Sequence, residues 1–346
     1  VVDFGLPGPD KGKGGKYLIL PPGVDTPSDV PKDYFVYQAP TNHILTGSRV
    51  LSWMVKSREE AVEIESKFKV YKYEDRNNPP ARDVVVVENN DKYDTKQPRD
   101  MKYWEILKKF IDQEPVQERD RLIMSMLTAL GIEQSKPFNP TPYQEEILLK
   151  AVVVGEQMAK AQTYAKPSRF ADYFNDYGWP NLLVASADDK SEHYDQMYRR
   201  ASFTYEAMSR AWAMFTDTVG VGQVYLTQYN DSKGKWLDGG KDYVLNIPKD
   251  APAKLFWSIA VYSTDTRCLI QNKAGYASLG SRSESMKVND DGSVDLYFGP
   301  KAPEGKKNNW IQTNKNEGWF TYLRFYGPGE TFFDKSWPIK GINPVE

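Results

Sequence analysis

The apolar residues of this 346-residue chain change their spacing twice along its length. Short apolar runs set off by Gly and Pro predict strands at residues 17–20, 34–38, 43–50 and 69–75. Apolar residues then recur every three to four positions over 101–215, which predicts helices. From residue 219 short strand patterns return between Gly-rich turns. The chain is therefore predicted to be mainly β with a helical middle, and its last part to be a jelly-roll-like or other antiparallel sandwich.

Capping residues predict where individual helices begin and end. Ser57 followed by Glu60 forms a capping box and starts a helix of about three turns. Gly131 suits a C-terminal cap after an apolar stripe. Thr141 is the predicted N-cap of the clearest helix, with Gln144 completing its box.

Two further stretches lie around these helices. Residues 76–100 are rich in Pro, Asn and Asp and are predicted to be a linker with one extended piece at 84–87. A last helix is predicted over residues 192–215. These segments separate the two β-patterned ends of the chain.

The charge balance limits the kinds of partner. Basic residues number 45 and acidic residues 47, a formal net charge of -2, whereas nucleic-acid binders usually carry a basic surplus. We therefore expect no nucleic-acid partner, and no apolar run reaches the roughly 18 residues that a membrane span needs. One Cys and two His exclude an internal disulfide framework and a multi-histidine metal centre. No cofactor is predicted, although a carboxylate site for a divalent cation stays open.

Three residues are candidates for acid–base chemistry. His193 follows Glu192, and a His beside carboxylates suits a general base. The alternative is that these residues are solvated charges at the start of a helix, where acidic side chains are favoured. Asp265 and Asp295 lie in the β-patterned part and would act as acid or base if they were buried.

Three arginines in the same part are candidates for ligand binding. Arg267, Arg282 and Arg324 lie in or beside predicted strands, where a buried guanidinium needs a carboxylate, sulfate or phosphate partner. The alternative is an internal ion pair with Asp265 or Glu284. Two more residues are predicted to line the same ligand site, the second as an apolar wall: Asn309 and Trp310.

The Gly- and Lys-rich stretch at residues 8–16 invites a phosphate-loop interpretation. The glycine spacing of that motif is not present, and Tyr17 stands where Ser or Thr is required. The loop either joins two strands or binds an anion through its backbone N–H groups and lysines.

Several long stretches resemble two known domains. "DFGLPGPDKGKGGKYLILPPG" and "YFVYQAPTNHILTGSRV" resemble the later part of domain of unknown function 1254. "FWSIAVYSTDTRCLIQN" and "GWFTYLRFYGPGETFFDKSWPIKGI" closely resemble domain of unknown function 1214. The two domains commonly occur together in bacterial proteins. The resemblance covers residues 1 to about 75 and about 200 to 346.

The resemblance implies an Ig-like β-sandwich, whose front part is missing here, and a jelly-roll-like β-sandwich, with helices between them. We therefore predict four parts of the chain: a remainder of the Ig-like domain at residues 1–75, a linker at 76–100, a helical connecting region at 101–215 and a C-terminal jelly-roll-like β domain at 216–346. The resemblance also implies a periplasmic or extracellular location. Because the missing front would expose sheet edges, we expect a cover, either the cleaved N-terminal segment or a second copy of the chain.

Two functions fit these features. The first is a hydrolase or ligand-binding protein for an anionic amphiphilic or sugar-like small molecule, for example a sulfate ester, held in an inter-domain cleft. The alternative is a non-catalytic envelope or structural protein that binds carbohydrate or protein. The 22 Tyr, 9 Trp and 15 Phe residues fit a ring-lined site and ordinary packing on sheets.

Overall fold

The computed structural model describes residues 2–5, 8–48, 50, 55–81, 96–165, 172–174, 179–180, 190–207, 214 and 216–345. The helices are α1 (Arg58–Ser66), α2 (Met101–Gln113), α3 (Arg121–Thr128), α4 (Pro142–Lys160), α5 (Met197–Ala207) and α6 (Glu330–Phe333). The strands are β1 (Lys16–Leu20), β2 (Tyr34–Gln38), β3 (Asp172–Phe174), β4 (Trp179–Pro180), β5 (Gln223–Gln228), β6 (Tyr243–Ile247), β7 (Ala253–Ser263), β8 (Ser278–Gly280), β9 (Val294–Gly299), β10 (Trp310–Gln312), β11 (Trp319–Pro328) and β12 (Asn343–Pro344). The prediction of a mainly β, sandwich-like chain with helices between its sheets is confirmed.

The chain forms two compact units, and the boundary between them cuts α4. The first comprises Val1–Gly14, Asp94–Gln97 and Lys150–Glu346, and the second comprises Gly15–Tyr93 and Pro98–Leu149. The predicted helical region is thus shared between the units.

The second unit combines a small sheet with helices. β1 and β2 pair in parallel. α2 begins at the cap Asp100, whose carboxylate accepts from the Lys102 N–H at 3.0 Å. It packs through Trp104, whose indole Nε1 donates to the Leu148 carbonyl at 2.9 Å. This buried hydrogen bond satisfies the polar edge of a large apolar ring.

The predicted caps of this unit are present. The Ser57 hydroxyl accepts from the Glu60 N–H at 3.2 Å, and the Thr141 hydroxyl accepts from the Gln144 N–H at 3.3 Å. Gly131 follows α3 with φ of 79°, which suits a residue without Cβ. The adjacent Ile132 N–H returns to the Leu127 carbonyl at 3.1 Å, as in a Schellman ending.

The first unit contains a β-sandwich. One sheet has the order β10-β9-β6-β12 and the other β5-β11-β7-β8. Side chains from both sheets share one apolar core, in which Leu245 and Leu296 of the first sheet and Ile259 and Leu323 of the second are fully buried. Alternating strand residues face this core because successive side chains point to opposite sides of a sheet.

Two predicted strands are wrong in the described residues. Residues 43–48 form no strand; instead the Asn42 and His43 N–H groups donate to the Glu114 carboxylate at 2.5 and 3.0 Å. The stretch 69–75 ends in a 3-10 turn over Tyr73–Asp75. A strand needs a neighbouring strand to pair its backbone groups. The backbone N–H groups at Asn42 and His43 bind the Glu114 carboxylate instead, and the stretch 69–75 ends in a turn. The predicted extended piece at 84–87 lies outside the described residues.

The predicted helix over 192–215 begins later than expected. Lys190 and Asp195 form an antiparallel bridge, and the Ser191 hydroxyl donates to the Tyr194 carbonyl at 2.9 Å. This turn delays α5 until Met197. Residues 208–213 and 215, also part of the prediction, lie outside the described residues.

Candidate arginine–tyrosine site

Strand β11 presents two chemically different faces. Its residues Trp319, Leu323 and Phe325 point into the sandwich core. The residues between them point to the outer face of the sheet because side chains alternate along a strand. Tyr322 and Arg324 therefore lie together on the side away from that core.

The neighbouring strands add aromatic residues to this outer face. Arg324 is in register with Tyr225 of β5 and with Ser258 of β7, and Tyr326 is in register with Phe256. The ring of Tyr262 on β7 lies with its centroid 4.6 Å from that of Tyr322, at an interplanar angle of 41°. We call the following set the arginine–tyrosine face: Tyr225, Phe256, Tyr262, Tyr322, Arg324 and Tyr326.

Arg324 is the positive charge of this face. Its Nη2 donates to the Tyr262 hydroxyl, and Tyr326 lies two residues further along the same side of β11. Its Nε is buried without a hydrogen-bond partner, and no carboxylate among the described residues forms an ion pair with it. Burial by itself would lower the pKa of the guanidinium, but the oxygens of Tyr262, Tyr326 and Tyr225 outweigh burial and raise that pKa. The group therefore stays charged.

A buried carboxylate lies beside the face. Glu206 of α5 is 3% exposed, and its Oε1 accepts from the Tyr229 and Tyr322 hydroxyls at 2.5 and 2.9 Å. Burial, reinforced by the Glu206 charge, raises the pKa of both hydroxyls well above the ordinary tyrosine value. The arrangement ties α5 to the outer face of the sheet and keeps both phenols protonated.

Arg282 lies at the edge of the same face. It follows β8, which pairs with β7, and its guanidinium carbon lies 4.3 Å from the centre of the Phe256 ring. Its Nη2 donates to the Leu255 carbonyl at 3.5 Å. Arg282 is exposed. The structure thus brings two of the three predicted ligand-binding arginines to one surface.

Arg267 belongs to a different cluster. It has a left-handed φ of 63°, stacks over the Tyr205 ring at 4.2 Å, and donates to the Tyr205 hydroxyl at 3.1 Å and to Gln97 Oε1 at 3.2 Å. It also donates to the backbone carbonyl of Asp265 at 3.2 Å. The carboxylate of Asp265 forms an ion pair with Lys96.

The remaining predicted ligand residues lie on the opposite sheet. Asn309 is 5% exposed and its amide bridges the Lys287 and Asp295 backbone carbonyls at 2.8 and 2.9 Å. The Trp310 indole donates to the Gly299 carbonyl at 3.0 Å. The Asp295 carboxylate accepts from Asn246 at 2.8 Å. The sandwich core separates these residues from Arg324, so one pocket does not hold the whole predicted set.

His193 lies outside both groups. Its side chain is 80% exposed and its Nε2 is 3.7 Å from Glu192 Oε2. The short segment that holds it precedes α5. The structure therefore does not bring His193 together with Asp265 or Asp295.

The Gly- and Lys-rich loop already contains an anion of its own. Asp10 is 7% exposed, and its carboxylate accepts from the Gly5 and Gly14 N–H groups at 2.7 and 3.1 Å. The Asp10 carboxylate thus occupies backbone N–H groups that an anion-binding loop would offer to an external anion. In the described part of the chain, no group of three or more His, Cys, Asp or Glu residues is arranged to hold a metal ion.

Glu206 and Tyr322 were not predicted as site residues. A signal is present in "WFTYLRFYG", where aromatic and basic residues occupy every second position opposite apolar ones. Glu206 carries no comparable signal, because its partners are distant in the chain and meet it only in the folded protein.

Two solved structures resemble this chain weakly. The VPA0106 protein from Vibrio parahaemolyticus is 18% identical, with a TM-score of 0.48, over 97% of this chain and 77% of that chain. A putative uncharacterized protein from Burkholderia cenocepacia is 11% identical, with a TM-score of 0.28, over 66% of this chain and 49% of that chain.

None of the helices in the described ranges has the length and apolar character of a membrane span.

Two family models match separate parts of the chain, whereas no curated protein matches it. Residues 222–330, which include Arg324 of the face and Arg282 at its edge, match the family described as protein of unknown function, DUF1214. Residues 2–72 match another, DUF1254. The chain therefore belongs to the two-domain family that combines DUF1254 at its N-terminal end with DUF1214 towards its C-terminal end.

Proposed function

We propose that the protein binds a small amphiphilic anion on the arginine–tyrosine face. The observation that carries the proposal is Arg324: a largely buried guanidinium with tyrosine neighbours, an unpartnered Nε and no described carboxylate partner. Taking a charge out of water is unfavourable unless an opposite charge accompanies it. An anionic ligand would supply that charge.

The neighbouring side chains suit such a ligand. The Tyr262 hydroxyl accepts from Arg324, and a phenol hydroxyl is able to accept and to donate a hydrogen bond at the same time. The rings of Phe256 and Tyr326, which stack with centroids 4.0 Å apart, offer an apolar surface to a hydrocarbon part. Carboxylate, sulfate and phosphate head groups all match a guanidinium.

Binding is better supported than hydrolysis. Asp295 lies on the opposite sheet, and the Asp265 carboxylate pairs with Lys96. The only carboxylate identified beside the face in the described residues, Glu206, accepts from two tyrosine hydroxyls. A periplasmic or extracellular location, as expected from the family resemblance, remains part of the proposal.

Calorimetry with the full chain tests the proposal. Octyl sulfate and octanoate are the anionic probes, and octyl glucoside is the neutral one. We expect both anions to bind and Arg324→Met to weaken them at least tenfold, since a charge-assisted hydrogen bond contributes about 1.5–3 kcal/mol. Arg121→Met, which removes an exposed arginine from α3 (69% exposed side chain), should leave binding unchanged.

Other outcomes have defined meanings. If Arg324→Met fails to fold, Tyr262→Phe removes one hydroxyl from the face and should weaken the anions several-fold. Equal binding of octyl glucoside and octyl sulfate would contradict the proposal and favour a carbohydrate-binding surface. Release of inorganic sulfate from octyl sulfate, lost in Arg324→Met, would extend the function to hydrolysis.

A further inference from the structure

Ser258 places a hydroxyl beside Arg324 on the outer side of the sheet. The two residues are directly opposite each other on β7 and β11, and the side chains of such a pair lie on the same side with Cβ atoms about 4.5–5.5 Å apart. That side is the outer one, because Trp257 and Ile259, which flank Ser258 in the strand, point into the sandwich core. The Ser258 hydroxyl therefore lies next to the stem of the arginine.

The Ser258 hydroxyl forms no hydrogen bond within the part of the chain that the structure describes. The residue is only partly buried. On β8 the residue opposite Ser258 is Gly280, which has no side chain, and a Cβ added to Gly280 would lie 3.0 Å from the Ser258 Cβ. Ser258 is thus a hydroxyl that the described fold does not use, and its neighbour on β8 places no side chain over it.

Arg324 has an unused donor on the same side of the sheet. Its Nη2 donates to the Tyr262 hydroxyl, whereas its Nε is buried without a hydrogen-bond partner. Nε is the guanidinium nitrogen nearest the backbone, so an oxyanion that binds there lies close to the sheet surface, within reach of a short side chain such as that of Ser258. Two neighbouring strands therefore offer donors to one oxyanion from two directions.

We propose that the head group bound at Arg324 is tetrahedral with three terminal oxygens, as in a sulfate or phosphate monoester, and that Ser258 donates to the third oxygen. This inference rests on the proposed anion binding and specifies its ligand class. A guanidinium presents its N–H groups in one plane, which matches the two oxygens of a carboxylate. A tetrahedral head group has a further oxygen outside that plane, and the single O–H donor of a serine suits one such oxygen.

Calorimetry with the full chain and three ligands of similar length tests the inference. The ligands are octyl sulfate, octyl phosphate and octanoate. We expect Ser258→Ala to weaken octyl sulfate and octyl phosphate about fivefold, the usual weight of one hydrogen bond, and to change octanoate less than about twofold. The decisive quantity is this change in the ratio of dissociation constants, since the ligands differ in hydration from the start. Whichever of the two tetrahedral ligands binds tighter identifies the head group, and both orders support the inference.

A matched pair of variants separates the hydroxyl from the size of the side chain. Thr and Val are both branched at Cβ and differ in that Thr carries a hydroxyl where Val carries a methyl group. Ser258→Thr should therefore keep the selectivity and Ser258→Val should lose it. Ser278→Ala is the control and should change no ligand, because Ser278 is exposed on the same side of the sheet but is opposite Ala260, outside the row of Arg324.

Two results would overturn the inference while leaving anion binding intact. One is an equal weakening of all three ligands by Ser258→Ala, and the other is the absence of any effect of that variant. In both cases Arg324→Met still weakens every ligand at least tenfold. If Arg324→Met instead leaves all three ligands unaffected, anion binding on this face fails as a whole.

Discussion

Glu206 shows how one side chain organises several others. One of its two carboxylate oxygens, Oε1, accepts from both Tyr229, just after β5, and Tyr322 on β11. All three residues are buried. Because a buried hydroxyl without a partner is unfavourable, removal of the shared acceptor affects the two tyrosines together.

We therefore expect Glu206→Leu to be more destabilising than the loss of either hydroxyl. Tyr229→Phe removes one donor and should lower the free energy of unfolding by about 1 kcal/mol, whereas Glu206→Leu leaves two buried hydroxyls without this acceptor and should lower it by about 3 kcal/mol. Urea unfolding measures both. Glu304→Leu, at an exposed position, is the control, and equal effects of Glu206→Leu and Tyr229→Phe would contradict the shared role.

The same tyrosines predict a dependence on alkaline pH. The folded protein raises their pKa values above the unfolded value of about 10. Their contribution to stability is thus fully present below about pH 10 and is lost as the pH rises towards the folded values, because only the unfolded chain releases these protons. Unfolding free energies between about pH 9 and pH 11 test this. The double variant Tyr229→Phe/Tyr322→Phe should lose less stability over that range; an unchanged slope would refute the assignment.

At the scale of the element, β11 serves the core and the candidate site at once. One side contributes Leu323 and Phe325 to the core, and the other carries Arg324 and Tyr326. A register shift interrupts the strand between Tyr326 and Pro328, at Gly327 with φ of 63°. Such a bulge re-aims neighbouring side chains, and here it follows the last aromatic residue of the face.

Gly327→Ala should destabilise this strand end in two ways. Its φ disfavours any residue with a Cβ by about 1 kcal/mol, and the new Cβ would meet Leu255 Cγ and Lys254 Cβ at 3.3 Å. Gly234→Ala is a matched control, since Gly234 has φ of 76° but no atom within 4 Å of an added Cβ. We expect a larger loss of unfolding free energy for Gly327→Ala in urea titrations. Equal losses would show that the neighbours yield without strain.

At the scale of the whole molecule, the sandwich core gives the site its rigid support. The core joins both four-stranded sheets and contains the inner side chains of the same strands that carry the face. Side chains in such a core pack closely, so the neighbours of a truncated side chain do not readily fill the cavity that it leaves. The stability of the first unit therefore depends strongly on individual core side chains.

Leu323→Ala should lower the unfolding free energy by about 2–5 kcal/mol, the usual range for a buried leucine. Leu323 is fully buried, and its strand neighbours Tyr322 and Arg324 point to the opposite side. Leu269→Ala, at a residue that is 45% exposed, is the control and should cost much less. Urea unfolding followed by Trp fluorescence measures both. A small effect of Leu323→Ala would indicate that the two sheets adjust towards each other.

The sequence by itself determined the elements whose signals are local. The caps at Ser57, Thr141 and Gly131 were predicted correctly because each depends on residues three to six positions apart. The mainly β character also follows from local alternation. In the described residues, the strands predicted at 43–50 and 69–75 do not form, because pairing partners decide whether an extended segment becomes a strand. The Ig-like and jelly-roll topologies stay predictions.

Only the tertiary structure decided which candidate residues meet. Sequence patterns named four ligand residues alike. In the fold, Arg324 lies on the outer face of one sheet and Arg282 contacts Phe256 at its edge, whereas Trp310 lies on the opposite sheet and Asn309 binds the Asp295 carbonyl there. The Glu206–Tyr322 contact joins residues 116 positions apart. Local propensity carries no information on such pairs, because their proximity follows from how sheets and helices pack around a shared core.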